Sequence, residues 1–155
     1  MSINYLNIYN SLVKLTTNKK LYFNLKKQDT FSDRMIIFLL HFAFFLKNFK
    51  KKEGKKILQE IYDFNFRQME LSIREIGYGD QSINKKMKDY LNLFHAILSD
   101  IHFWDKLDNL EKYTKISHFL ENYKNIDFLI EYFDKYNEDL SKMSLNYYIK
   151  SVSND

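Results

Sequence analysis

The stretch Phe66–Asp80, FRQMELSIREIGYGD, reads as the closing turns of one helix, a tight two-glycine turn and the start of the next helix. A chain that stops and reverses this quickly needs a residue that accepts a left-handed backbone. Gly77 suits that place because it has no Cβ to clash. Gly79 can do the same for a second residue, or let another backbone approach closely. Asp80 is then placed to cap the following helix, whose first turn carries unpaired N–H groups. Before the turn, Asp63, Arg67, Glu70 and Arg74 recur every three or four residues with alternating sign, a ladder worth about 0.2–0.5 kcal/mol per pair. A salt-laced helix, a turn and a capped helix thus account for the segment as a helical hairpin.

Helical periodicity continues in both directions. Leu58, Tyr62, Phe66, Met69, Ile73 and Ile76 form one stripe on a helix over 55–76. Ile83, Met87, Tyr90, Phe94, Ile97 and Ile101 form another on a helix starting near Ser82, closed by His102, Phe103 and Trp104. Downstream, Leu110, Tyr113, Ile116, Leu120 and Tyr123 predict the inner face of a helix over 108–123. Leu129, Ile130, Phe133, Leu140 and Tyr147 predict that of a long helix over 126–149, with 151–155 frayed. Upstream, a helix over 31–49 follows a break at Gln28, Asp29 and Thr30, and Thr30 with Asp33 makes an N-cap pair. Its centre, Met35–Leu46, is apolar apart from His41. At 12 residues it falls short of a membrane span, so it reads as a core helix, with a membrane-dipping segment as the alternative. A first helix over 3–15 turns Leu6, Tyr9 and Val13 to one face, and a short one covers 19–27.

The expected fold class is therefore all-α: a single compact domain of about six or seven helices over 1–155. Proline is absent and glycine occurs only at Gly54, Gly77 and Gly79, too few turn residues for a many-hairpin β fold. With 45% hydrophobic and 28% charged residues the chain buries a core rather than staying disordered. The lack of cysteine excludes disulfides, thiolate metal sites and cysteine nucleophiles. The segment MSINYLNIYNSLVKL has neither a basic region before an apolar core nor a small-residue cleavage site, and lacks transit-peptide arginines. The expectation is a bacterial-type cytoplasmic protein without signal peptide or transmembrane helix, peripheral to the inner membrane at most.

Charge is unevenly spread. Residues 1–56 hold 12 Lys/Arg against 3 Asp/Glu, whereas 57–155 hold 12 against 17. The asymmetry suggests an anionic partner for the first third, either a lipid leaflet or ribosomal RNA, met by Lys47, Lys50, Lys51, Lys52, Lys55 and Lys56. Plain solvation of lysine-rich helix faces explains it equally well.

The turn and its surroundings resemble the ubiquinol–cytochrome c chaperone family. Its members carry a phenylalanine, a mixed polar stretch, then Leu-Arg-Glu-Met-Gly-Val-Gly-Asp, and a basic pair with methionine. Here these are Phe66, then Ile73, Arg74, Glu75, Ile76, Gly77, Tyr78, Gly79 and Asp80, then Lys85, Lys86 and Met87. Arg34 leading to Leu40 and His41 is similar to the arginine that precedes an apolar Leu-His helix in the family. The resemblance covers about residues 20–150. It departs where members often have Gly-Arg and this chain has Phe94, His95, Ala96 and Ile97, so no role for that arginine carries over. Tyr78 also replaces a smaller aliphatic residue.

The resemblance implies a non-enzymatic assembly factor for respiratory complex III. Its mitochondrial relatives bind newly made cytochrome b near the ribosome until haem is inserted, with a small partner protein. Bacterial members act similarly at the cytoplasmic face of the inner membrane, where that partner can be absent. The client- or partner-binding residues implied are Arg34, His41, Phe66, Arg74, Glu75, Gly77, Tyr78, Gly79, Asp80, Lys85 and Lys86. Such work needs an aromatic or apolar surface. The 14 Phe and 12 Tyr supply one, unless the bias merely replaces Leu and Val in the core.

No catalytic constellation stands out. His41, His95, His102 and His118 form no i, i+4 pair and no H-E-x-x-H. His95 and His102, seven apart, could share a helix face, but they lack carboxylate or cysteine company for a metal or haem. A buried, hydrogen-bonded His41 is the simpler reading, and contact with the glycine turn is what the resemblance offers instead. Glu75 and Asp80 have Arg74, Lys85 and Lys86 beside them, which favours ion pairs over acid–base work. The Gly-x-Gly follows a helix, not a strand, so it is no phosphate loop. No catalytic residue, metal, cofactor, DNA or small-molecule substrate is expected.

Overall fold

The computed structural model describes residues 3–23, 25, 30–50, 52 and 54–153. Among them the chain forms seven α-helices: α1 (Tyr5–Thr16), α2 (Phe31–Phe49), α3 (Lys55–Glu75), α4 (Asp80–Ile101), α5 (Asn109–Phe119), α6 (Ile126–Ser141) and α7 (Leu145–Ser153). Short 3₁₀ turns lie at Lys19–Tyr22 and Trp104–Lys106, and the one β contact among the described residues is an isolated bridge between Leu25 and Tyr123. The all-α class expected from the periodicity is the class the chain adopts.

The apolar run in α2 is the axis of the core. Thr30 Oγ1 accepts from the Asp33 N–H at 3.1 Å, and Asp33 Oδ2 accepts from the Thr30 N–H at 3.0 Å, a reciprocal capping box. Asp33 also accepts from Asn122 Nδ2 at 3.1 Å, tying the start of α2 to the connection between α5 and α6. Ile37, Leu39, Leu40, Phe42, Ala43, Phe44, Phe45 and Phe49 are fully buried, so this run is a core helix and not a membrane-dipping one. Helices α1, α4 and α6 pack around it. α3 rests on α1 and α4, α5 on α4 and α6, and α7 on α1.

Aromatic rings fill the space between these helices. Phe42 of α2 stacks on Phe94 of α4 at 5.0 Å, flanked by Tyr62 and Phe66 of α3. Phe44 stacks on Phe133 of α6 at 5.2 Å and meets the edge of Trp104. Each such pair adds about 0.5–1.5 kcal/mol beyond its buried area. Nine of the 14 phenylalanines are buried, so the aromatic bias is mainly a property of the core. Lys55 and Leu58 share one groove with Leu46, Lys50, Leu98 and His102, whereas at the other end Met69 and Ser72 lie with Arg34 and Phe38 and Arg74 meets Asp80, so α3 runs antiparallel to both α2 and α4.

Several expectations need correction. The helix expected over 126–149 is two helices, because Ser144 Oγ accepts from the Tyr147 N–H at 3.0 Å and starts α7 afresh. The restart shifts the phase, so Tyr148 is buried and Tyr147 is 60% exposed. Helix α7 also continues through Ser153 rather than fraying from Ser151, while Asn154 and Asp155 lie outside the described residues. The inner face of α1 is Ile8, Leu12 and Thr16, leaving Leu6 exposed. Helix α5 ends at Phe119 and buries Ile116 and Phe119, leaving Leu110 and Tyr113 in solvent. The helix expected over 19–27 is a single 3₁₀ turn as far as it is described, and Asn24, Lys26, Lys27, Gln28 and Asp29 lie outside the described residues.

Candidate functional site

The two-glycine turn joins α3 to α4. The N–H groups of Ile76 and Gly77 donate to the carbonyls of Ile73 and Arg74 at 3.2 and 3.0 Å, closing α3. Gly77 has φ +102°, the left-handed backbone the turn was expected to need. Gly79 differs from expectation. Its φ is −72°, an ordinary extended N-cap, and a Cβ built there meets nothing within 4 Å. Asp80 does not cap α4 either. It is the first residue of α4, and its carboxylate accepts from Arg74 Nη1 at 2.9 Å.

Arg74 also donates from Nη2 to Glu70 Oε1 at 3.2 Å. Held between two carboxylates, the guanidinium has its pKa pushed up, first by Asp80 and then by Glu70. Only this part of the expected ladder forms among the described residues, for Asp63 accepts instead from Gln59 at 2.9 Å. Lys86 Nζ lies 4.5 Å from the centre of the Tyr78 ring, and Lys85 and Glu75 are exposed. Around this fixed charge stand three apolar side chains in solvent: Leu71, Ile76 and Tyr78, 47%, 49% and 41% exposed. Ile76 had been expected on the inner stripe. The end of α3 turns it out.

Arg34 belongs to the same end of the molecule. It is exposed and lines a cavity of about 190 Å³ with Met69 and Ser72 of α3 and Tyr9 of α1. Phe66 and His41 do not join the turn. Phe66 sits in the ring cluster against Phe42 and Phe94. His41 is fully buried, and its ring meets Tyr132, Phe133 and Tyr136 of α6 rather than the glycines. Its Nδ1–H donates to the Ile37 carbonyl at 2.8 Å, so Nε2 is left to accept from the Tyr132 hydroxyl at 2.6 Å. Burial pushes its pKa down to about 4, against the Ile37 hydrogen bond, which raises it.

The lysines around the connection of α2 to α3 divide into two groups. Lys47 pairs with Asp105 at 2.9 Å, lowering the carboxyl's pKa, and reaches Asn137 at 3.3 Å. Lys52 donates to the carbonyls of Ser141 and Met143 at 2.7 and 2.9 Å and lies at 3.5 Å from that of Leu140, closing the end of α6. Lys50, Lys55 and Lys56 are exposed and make no ion pair with any described residue. Lys51 lies outside the described residues.

Lys47, Lys50 and Lys55 border a groove of about 800 Å³ between the end of α2, the start of α3 and the end of α4. Its apolar lining comes from Leu46, Leu58, Tyr62, Leu98 and Phe103. No sequence expectation covered this groove, although the spacing of His95, Leu98 and His102 along one helix face was a usable signal. His95 and His102 both line it, and His95 Nε2 lies 3.2 Å from the Tyr62 hydroxyl. No group of three His, Cys, Asp or Glu side chains among the described residues could hold a metal. No described helix is long and apolar enough to cross a membrane.

The motif turn and the groove lie at opposite ends of the α3–α4 hairpin, about 30 Å apart along α3 at 1.5 Å per residue. A search of the curated proteins and one of the solved structures find no match to the chain. The family model described as Ubiquinol-cytochrome C chaperone matches residues 23–102, just over half of the chain. That span runs from before α2 through the turn to the end of α4, and includes every residue that carries the motif. With its hairpin, its turn and its central α2 inside the matched region, this chain belongs to the ubiquinol-cytochrome C chaperone family.

Proposed function

We propose that the protein is a non-enzymatic assembly chaperone for ubiquinol–cytochrome c reductase. It binds newly made cytochrome b at the cytoplasmic face of the inner membrane and holds it before haem insertion. The observation that carries this reading is the α3–α4 turn. It combines three solvent-facing apolar side chains, Leu71, Ile76 and Tyr78, with an arginine fixed between Glu70 and Asp80. A membrane protein awaiting assembly presents apolar segments bordered by polar ends, and such a tip can meet both. Exposed apolar groups rimmed by charge are a general mark of protein-binding surfaces.

Gly79 supports the same reading. The fold does not need a glycine there, since its backbone is ordinary and its Cβ position is open. A bare backbone beside Tyr78 leaves room for a client's main chain to come close. Arg34, on the same end, extends the surface across α2. In this reading the chain acts as one domain, with the client at this end.

The test is capture from mildly solubilised membranes by tagged protein, probed for cytochrome b and its haem. The expected result is enrichment of haem-poor cytochrome b, lost in Tyr78→Ser and in the pair Arg74→Ala with Asp80→Ala. All three positions are exposed, so these variants should keep the helical content and melting behaviour of the parent. Failure of the parent protein to retain cytochrome b, or undiminished capture by folded variants, would overturn the assignment of client or of surface.

A further inference from the structure

We propose that the groove between the end of α2, the start of α3 and the end of α4 is a binding site for one anionic phospholipid of a bilayer. The acyl part would lie over Leu46, Leu58, Leu98 and Phe103, and the head group would lie against Lys50 and Lys55. This site is separate from the client surface and stands whether or not cytochrome b is the client.

Three observations converge on an amphiphile with a negative head. The groove, at about 800 Å³, is of the size that holds an organic ligand. Its lining combines leucines and aromatic rings with lysines, alongside Gln59, His95, Ser99 and His102, and among the described residues it includes no aspartate or glutamate. The cavity on the α6 side of the molecule, by contrast, is lined by Glu131 and Asp139 as well as Lys20 and Lys135.

The lysines are also placed against local preference. Helix α3 begins at Gly54 without a side-chain cap, has no acidic residue in its first turn, and carries Lys55 and Lys56 there. Positive side chains beside the positive end of a helix are unfavourable, and an anion at that point relieves them. Lys47, by contrast, is already paired with Asp105, so among the described residues lining the groove Lys50 and Lys55 are the lysines without an ion pair.

Phe103 decides between a lipid and a soluble anion. It is 58% exposed at the mouth of the groove, between the His102 ring and Lys106, whose Nζ is 5.8 Å from its centre. An aromatic side chain in that setting suits the boundary between head groups and acyl chains. A free phosphate or a nucleic acid backbone would use the lysines but leave the leucine trough uncovered.

The experiment is flotation of the full chain with phosphatidylcholine vesicles, with and without phosphatidylglycerol. Binding is expected only with phosphatidylglycerol. Each lysine near a charged surface contributes about five-fold, so Lys50→Gln with Lys55→Gln should weaken it about 25-fold. Phe103→Ser should weaken it about ten-fold with both lysines in place. Because all three side chains are exposed, unchanged thermal melting will show that the variants fold. No flotation with phosphatidylglycerol would overturn the proposal. So would binding that Phe103→Ser leaves intact and that ribosomal RNA or inorganic phosphate displaces fully, which would make the site a polyanion contact. Client capture by the α3–α4 turn is read separately, so the failure of one assignment leaves the other standing.

Discussion

His41 shows how one side chain takes its character from its surroundings. In sequence it is the polar residue within an apolar run. In the fold it is a neutral imidazole with one nitrogen donating to Ile37 and the other accepting from Tyr132. Its pKa falls from the ordinary 6.5 to about 4 because burial penalises the charged form. A group whose folded pKa is depressed in this way contributes stability in full above 6.5 and loses it as the pH falls from there to about 4. The full contribution is about 3 kcal/mol. Urea unfolding at a series of pH values should show stability declining across that window, and His41→Phe should flatten the decline. An equally steep decline in the variant would place the effect on other groups. That His41 would be buried could be read from the twelve-residue apolar run. That its partner is a tyrosine 91 positions away on α6 could not, since no local pattern joins them.

At the scale of the element, the turn and the break between α6 and α7 are the informative cases. The two glycines look equivalent in sequence but are not equivalent in structure. Gly77 has φ +102°, so Gly77→Val should cost at least about 1–2 kcal/mol of stability. Gly79 is an N-cap with an open Cβ position, so Gly79→Ser should be neutral or stabilising by a few tenths of a kcal/mol, roughly the usual margin of serine over glycine there. Paired thermal melts decide this, and a Gly79→Ser variant as unstable as Gly77→Val would contradict it. The same variant, if folded but deficient in client capture, would place the bare backbone in the interface.

The α6 terminus teaches a related lesson about lysines. Lys52 serves carbonyls of α6 and its end, where cations complement the helix dipole. Lys52→Met should therefore cost about 1 kcal/mol, whereas Lys56→Met should cost nothing measurable. Equal effects on the two melting temperatures would show that the lysines of this connection act alike. The long helix expected over 126–149 failed for the same reason: no glycine or proline marks its end, and the break rests on Ser144 and on a lysine nearly ninety residues earlier.

At the scale of the molecule, the α3–α4 hairpin is a strut with a different surface at each end. One end carries the family motif, with fixed charge and exposed Leu71, Ile76 and Tyr78. The other carries the lysine-rimmed groove. Between them the ring cluster of Phe42, Tyr62, Phe66 and Phe94 holds α2, α3 and α4 together. If the turn receives the client and the groove a lipid, as proposed above, anchorage at one end leaves the other free.

The sequence by itself determined the helical class, the limits of α2 and α3 to within a residue, and the motif turn. These depend on local causes: capping chemistry, apolar period, the scarcity of turn residues, and glycine's tolerance of a positive φ. The tertiary structure alone decided which lysines are committed and which are free, that Gly79 is dispensable to the fold, that Ile76 and Tyr147 face solvent, and that leucines and lysines share one groove. Those outcomes depend on where distant helices meet. Periodicity places a side chain on a face of its own helix, but only packing decides what that face touches.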